Sequence, residues 1–180
     1  MVVNITKRLL KSAWLSIFNI LFVSMVVLAS QPAMAVTYAA MVMDARDGSV
    51  LHTENADQRL HPASLTKMMT LYVAFEAVEN GEISLDTKVK ISKKAASEPP
   101  SKLGLKAGQR ISLRYLIRAA AIKSANDAAT AIGEAIEGSE AAFARRMNRT
   151  AKALGMKRTT FKNAHGLTPV SYTHLTLPTT

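Results

Sequence analysis

Ser64 and Lys67 stand three positions apart in the run Ser64-Leu65-Thr66-Lys67. If that run opens a helix, the spacing puts a hydroxyl and an amine one turn apart on adjoining parts of its surface. The chemistry open to such a pair is acyl transfer. A serine hydroxyl is a poor nucleophile until a neighbouring base takes its proton, and a lysine amine can be that base once its pKa is lowered. Burial and the positive end of a helix dipole both disfavour the ammonium, so this position should push Lys67 towards neutrality. The backbone N–H of Ser64 could then serve as one donor to a developing oxyanion. The competing reading is that Ser64 merely begins the helix and Lys67 is a solvated first-turn lysine, since Ser-x-x-Lys is short enough to arise by chance.

A second group of side chains bears on that choice. Ser124-Ala125-Asn126 is the only Ser-x-Asn in the chain and falls at the junction of two expected helices, where side chains project from a turn. The Ser124 hydroxyl can relay a proton between base and leaving amine, and the Asn126 amide can both donate to and accept from a peptide bond. Taken alone, the pair also fits a capping serine followed by a turn asparagine. His52, His61, His165 and His174 have no metal-ligand spacing, there is no His-Glu-x-x-His and no thiol, so no metal is expected. His165 reads as a turn residue rather than the centre of a Ser-His-Asp triad, because Lys67 already offers a base. With no Gly-x-Gly-x-x-Gly and no Walker pattern, no nucleotide cofactor is implied.

These residues need elements to position them. Tyr38 to Met43, the turn signal Arg46-Asp47-Gly48 and Ser49 to Thr53 predict a β-hairpin. After the polar stretch Asn55 to Ala63, the residues Leu65, Met68, Met69, Tyr72, Val73 and Phe75 predict a helix that stops near Asn80-Gly81, with those side chains as its core face. Lys88 to Ser92 predicts a short strand and Glu98-Pro99-Pro100-Ser101 a loop. Ser112 is expected to cap a helix with Leu113, Leu116, Ile117, Ala120 and Ala121 inside, ending close to Lys123-Ser124. Asn126 to Glu137 predicts a further helix stopped by Gly138. Ser139 should cap one more, with Phe143, Met147, Ala151 and Leu154 buried and Gly155 just past its end.

The first thirty-five residues carry the layout of a secretory signal: Lys7, Arg8 and Lys11, an apolar run from about Ala13 to Ala29, then Ala33-Met34-Ala35, with cleavage expected after Ala35. An uncleaved anchor is the alternative, because the apolar run approaches the ~20 residues that span a bilayer. An exported chain without cysteine must hold its core by packing alone. The length of 180 residues allows one domain, and the 48% hydrophobic content allows an ordinary core. The formal charge of +10 is spread among acidic residues rather than gathered in a basic tract, so nucleic acid is not expected as a partner. That charge also suits a place near anionic lipid or cell-wall polymer.

The two motifs, sixty residues apart and in this order, resemble the active-site serine and Ser-x-Asn motifs of penicillin-binding proteins and class A β-lactamases. The resemblance extends to the low-molecular-weight D-alanyl-D-alanine carboxypeptidases. His61-Pro62-Ala63-Ser64-Leu65-Thr66-Lys67-Met68-Met69-Thr70 is similar to their nucleophile helix, and the hairpin around Asp44-Ala45-Arg46-Asp47-Gly48 to their first strands. Lys123 to Ala129, Met147-Asn148 and Asn163-Ala164-His165-Gly166-Leu167 also match, so the likeness covers roughly residues 38 to 167. It implies an α/β fold of the β-lactamase/DD-peptidase type, with residues 36–167 as the N-terminal part of the catalytic domain. It implies that Ser64 is acylated, that Lys67 is the base, and that Ser124 and Asn126 assist and bind substrate. The implied partners are peptidoglycan pentapeptide and β-lactams, outside the cytoplasmic membrane.

The chain also departs from that pattern. The family's third motif, Lys-Thr-Gly on a cleft strand, and its C-terminal membrane-associated helix are not among these residues, so little activity is expected of the 180 residues alone. Beyond Leu167 the residues stop matching the family, which leaves 168–180 as an unmatched tail, and about Val170 to Thr180 is expected not to be native continuation. A D-alanyl endopeptidase of the same fold stays open, as does a non-catalytic penicillin-recognising wall-binding module. A class A β-lactamase is disfavoured because no Glu-x-x-x-Asn follows Ser124.

Overall fold

A computed structural model of the protein describes residues 38–167, together with Trp14. The expected export signal (1–35) and the unmatched tail (168–180), with the stretch expected to be non-native, therefore lie outside the described residues, apart from Trp14. Strands β1 (Ala40–Met43) and β2 (Val50–Glu54) pair antiparallel, as the turn signal between them predicts. Within that turn Asp44 accepts from the backbone N–H of Arg46 and pairs with its guanidinium, and Gly48 takes φ +76°. Glycine adopts that left-handed backbone at little cost. A second antiparallel pair joins β3 (Lys88–Lys90) to β4 (Arg110–Ser112).

Between and after these strands run five helices: α1 (Thr66–Glu79), α2 (Lys93–Ser97), α3 (Leu113–Ile122), α4 (Asn126–Glu137) and α5 (Glu140–Ala153). Their ends follow local chemistry. Gly138 closes α4 in the left-handed region at φ +77°, and Ser139 caps α5 by accepting from the backbone N–H of Ala142 at 3.2 Å. Ser112 occupies the capping position of α3, but its hydroxyl accepts from Lys88 Nζ at 2.9 Å and does not cap. Helix α2 and strand β4, too short to leave a period, are additions to the elements expected.

Helix α4 lies at the centre, packed on α1, α2, α3 and α5. Leu113, Leu116 and Ile117 of α3 close on Ala128 and Ile132 of α4, with Val89, Ile91 and Leu105 beside them. On the other side Met69 and Val73 of α1 meet Phe143 and Met147 of α5, with Phe161 completing the cluster. Gly133 makes that contact possible, since a Cβ there would lie 2.7 Å from the Phe143 ring.

Six expected core positions are corrected. Ala121 is exposed and Ala119 is buried in its place; Leu154 is 43% exposed, at the end of α5. The larger correction concerns α1: Leu65, Met68, Tyr72 and Phe75 face outward, at 45 to 69% exposure, whereas Thr66, Lys67 and Thr70 are buried with Met69 and Val73. Lys67 and Thr70 occupy the interior there because backbone carbonyls from the far end of the described chain accept from them, while the Thr66 hydroxyl is buried without a hydrogen-bond partner.

Candidate active site

Ser64 lies in a single turn of 3-10 helix, Ala63–Leu65, that leads directly into α1. Ala63 enters it in the left-handed region at φ +47°, a conformation that costs a non-glycine residue about 1 kcal/mol. The side chain of Ser64 is on an exposed residue, and Lys67 beneath it is 3% exposed. Lys67 Nζ donates to Ser64 Oγ at 3.2 Å and to the carbonyl of His165 at 3.1 Å. Removal from water lowers the Lys67 pKa to about 8. At neutral pH roughly one amine in ten is then free to take a proton.

The residues facing Lys67 form a tight turn, 163–167, built on Asn163. Its Oδ1 accepts from the backbone N–H of His165 at 3.1 Å and of Gly166 at 2.7 Å, and its Nδ2 donates to the Leu167 carbonyl at 2.8 Å. The turn is pressed onto the segment that carries Ser64. Thr70 Oγ1 donates to the Ala164 carbonyl at 2.6 Å, and a Cβ on Gly166 would lie 1.9 Å from the Ala63 carbonyl oxygen. Asn148 of α5 holds the approach to the turn by donating to the Phe161 carbonyl and accepting from its N–H.

Ser124 and Asn126 sit between α3 and α4. Ser124 is half-buried with a left-handed backbone at φ +55°, so its side chain leaves a sharp bend rather than a helix. Asn126 is 1% exposed; its Nδ2 donates to the Pro99 carbonyl at 2.8 Å, while its Oδ1 has no hydrogen-bond partner. The donor half of the amide is thus engaged with the protein and the acceptor half is buried without a partner. The backbone N–H of Asn126 donates to the Ser101 carbonyl at 2.7 Å. Next to it, the buried Asp127 carboxylate accepts from the N–H groups of Leu103, Gly104 and Leu105 at 2.8 to 3.0 Å. The loop 98–105 is therefore lashed to the start of α4.

The structure brings Ser64 and Lys67 into contact. Among the described residues, neither Ser124 nor Asn126 hydrogen-bonds to either of them directly. The connection runs instead through residues that the motifs do not contain. Pro99 follows Glu98, whose Oε2 lies 3.3 Å from His165 Nε2, and the His165 carbonyl holds Lys67. His165 occupies the turn as expected; its ring makes no hydrogen bond to Ser64, so no serine-histidine pair forms. Glu98 and Glu140 carry no sequence signal of their own, standing 42 residues apart and 67 and 25 residues from His165 on the chain.

Residues 25–174 match the family described as D-alanyl-D-alanine carboxypeptidase, Peptidase S11. The D-alanyl-D-alanine carboxypeptidase DacF of Bacillus subtilis is 42% identical over 130 residues, which are 72% of this chain and 33% of that protein. The crystal structure of the carboxypeptidase DacD from Francisella tularensis is similar with a TM-score of 0.74 at 41% identity, covering 81% of this chain and 36% of that one. Penicillin-binding protein D2 of Listeria monocytogenes in its cefotaxime-bound form is similar with a TM-score of 0.67 at 36% identity, covering 81% of this chain and 59% of that one. These neighbours establish the α/β penicillin-binding DD-peptidase fold. The chain spans about a third of the length of the curated carboxypeptidases it matches. With the Ser64 turn, the Ser-x-Asn bend and the family match all lying within the same stretch, the chain belongs to the D-alanyl-D-alanine carboxypeptidase family.

Proposed function

We propose that the chain carries the nucleophile and base of a serine-type D-Ala-D-Ala carboxypeptidase, which removes the terminal D-alanine from peptidoglycan stem peptides outside the cytoplasmic membrane. In this reading residues 1–35 are an export signal and residues 36–167 the N-terminal part of the catalytic domain. The observation that carries it is the contact of an accessible Ser64 hydroxyl with a buried Lys67 amine whose pKa lies at about 8.

Neutral Lys67 takes the Ser64 proton as Oγ attacks the carbonyl of the D-Ala-D-Ala bond, and the Ser64 backbone N–H donates to the oxyanion. Ser124 passes the proton on to the leaving nitrogen, so that D-alanine departs and an ester on Ser64 remains. Water, deprotonated by the same amine, hydrolyses that ester and restores the serine. Asn126 helps to bind the substrate through its side-chain amide. β-Lactams, of which cefotaxime is held by the Listeria protein, present a strained amide that acylates the same serine. None of these steps calls on a metal or an organic cofactor.

The test uses the full-length product of the gene. Wild type should be labelled covalently by a fluorescent penicillin and release D-alanine from a pentapeptide, and Ser64→Ala should do neither. Labelling that persists in Ser64→Ala would refute the nucleophile.

A further inference from the structure

Three ionisable side chains remote in sequence converge behind Lys67. Glu98, Glu140 and His165 are 8, 8 and 5% exposed, and their ligand atoms lie within 4.8 Å of one another. His165 Nε2 is 3.3 Å from Glu98 Oε2 and 3.7 Å from Glu140 Oε1. Thr130 Oγ1 bridges the carboxylates, 3.0 Å from Glu98 and 3.4 Å from Glu140, and Lys94 pairs with the outer oxygen of Glu140. Two carboxylates this close repel, and burial raises the pKa of Glu98. A ring N–H and an ammonium between them make the arrangement stable.

The ring's proton can be placed. His165 Nδ1 accepts from the backbone N–H of Leu167 at 3.1 Å, so the neutral imidazole carries its hydrogen on Nε2, pointing at the carboxylates. Burial lowers the His165 pKa, which keeps the ring in that neutral form. A metal bound by this trio would need the Nε2 lone pair and would have to displace Lys94. The donor set therefore fits a hydrogen-bonded cluster better than a cation site.

We infer that Glu98, Glu140 and His165 act as positioning residues for the base: the cluster anchors the 163–167 turn so that the His165 carbonyl stays on Lys67 Nζ and water stays off that amine. The inference rests on the reading of Ser64 and Lys67 given above. Its physical basis is that one residue serves both ends, since the His165 ring is gripped by carboxylates while its carbonyl grips the amine. Glu140 Oε1 also accepts from the Ala164 N–H at 3.4 Å, and the Ala164 carbonyl takes the Thr70 hydroxyl at 2.6 Å. Through Pro99 the same cluster reaches Asn126, so the two motifs are held in register by groups that touch no substrate. The charged and titratable groups around the ring are Glu98 after α2, Glu140 of α5, Lys94 of α2 and Lys67 of α1.

The test measures the rate of Ser64 acylation by a fluorescent penicillin in the full-length protein from about pH 6 to about pH 11, where the rising limb reports the base. In His165→Leu and Glu98→Leu the loosened turn admits water to Lys67, and the limb should move up by about one pH unit. Acylation near neutral pH then falls about tenfold and approaches wild type again at the alkaline end. Glu98→Gln keeps an oxygen for the Nε2–H and should stay within about twofold of wild type throughout. Thermal melting identifies which leucine variants fold, and any one that folds carries the comparison. A rate lowered by one factor at every pH, or an unchanged profile in a folded leucine variant, overturns the inference. Labelling that does not depend on Ser64 overturns the functional reading instead.

Discussion

Along one side of α1, Met69 and Val73 pack with Phe143, Met147 and Phe161; at its first turns, Lys67 and Thr70 are held by the carbonyls of His165 and Ala164. The first seam gains free energy in proportion to apolar area and tolerates many shapes. The second buries an amine and a hydroxyl at a desolvation cost that only correctly placed acceptors offset. What the polar seam contributes is therefore geometry, and what the apolar seam contributes is stability. Substitutions in the two should fail in different ways.

The strongest challenge to that division is Gly166→Ala. The new Cβ would meet the Ala63 carbonyl oxygen at 1.9 Å on a backbone at φ +82°, so the turn has to lift from the Ser64 segment. Penicillin acylation should drop by two orders of magnitude or more, by analogy with the rate lost when reacting groups are misplaced by about 1 Å. Equal acylation rates in the variant and wild type would erase the distinction. Phe143→Ala should do the converse. Loss of a fully buried ring costs about 3 to 5 kcal/mol in urea denaturation, while the folded fraction keeps the wild-type rate.

Lys67→Met sharpens the comparison by exposing the cost of the polar seam. The Lys67 pKa falls from 10.5 to about 8 on folding, so between those values the unfolded chain holds more protons and stability rises with pH. Below that window the buried amine costs about 3 kcal/mol, at ~1.4 kcal/mol per pKa unit. The variant's stability relative to wild type should therefore be greatest near neutral pH and shrink by about that amount towards pH 10.5, as read from paired urea titrations. A difference that does not change with pH would mean that Lys67 is no more buried in effect than a surface lysine.

The same contrast decides how much could be read in advance. The hairpin, α4 and α5 are legible because their signals are local: Asp47-Gly48 turns the chain, Gly138 stops one helix and Ser139 starts the next. Helix α1 was legible as a helix and its interior was not. Hydrophobicity assigns Leu65, Met68, Tyr72 and Phe75 to the core, yet Lys67 and Thr70 go inside because their acceptors arrive from about a hundred residues away. Ser64 with Lys67, and Ser124 with Asn126, stand out by spacing alone. Glu98, Glu140 and His165 do not, since no periodicity relates a loop, a helix start and a turn that meet only in three dimensions.

The left-handed bend at Ser124 has a practical consequence for anyone improving this protein by selection. Glycine would relax that backbone by about 1 kcal/mol, so a screen rewarding heat endurance alone is drawn towards Ser124→Gly. Clones recovered that way would be hardier and would have discarded the hydroxyl that the proposed proton relay uses, so breeding for robustness would remove that group at this bend.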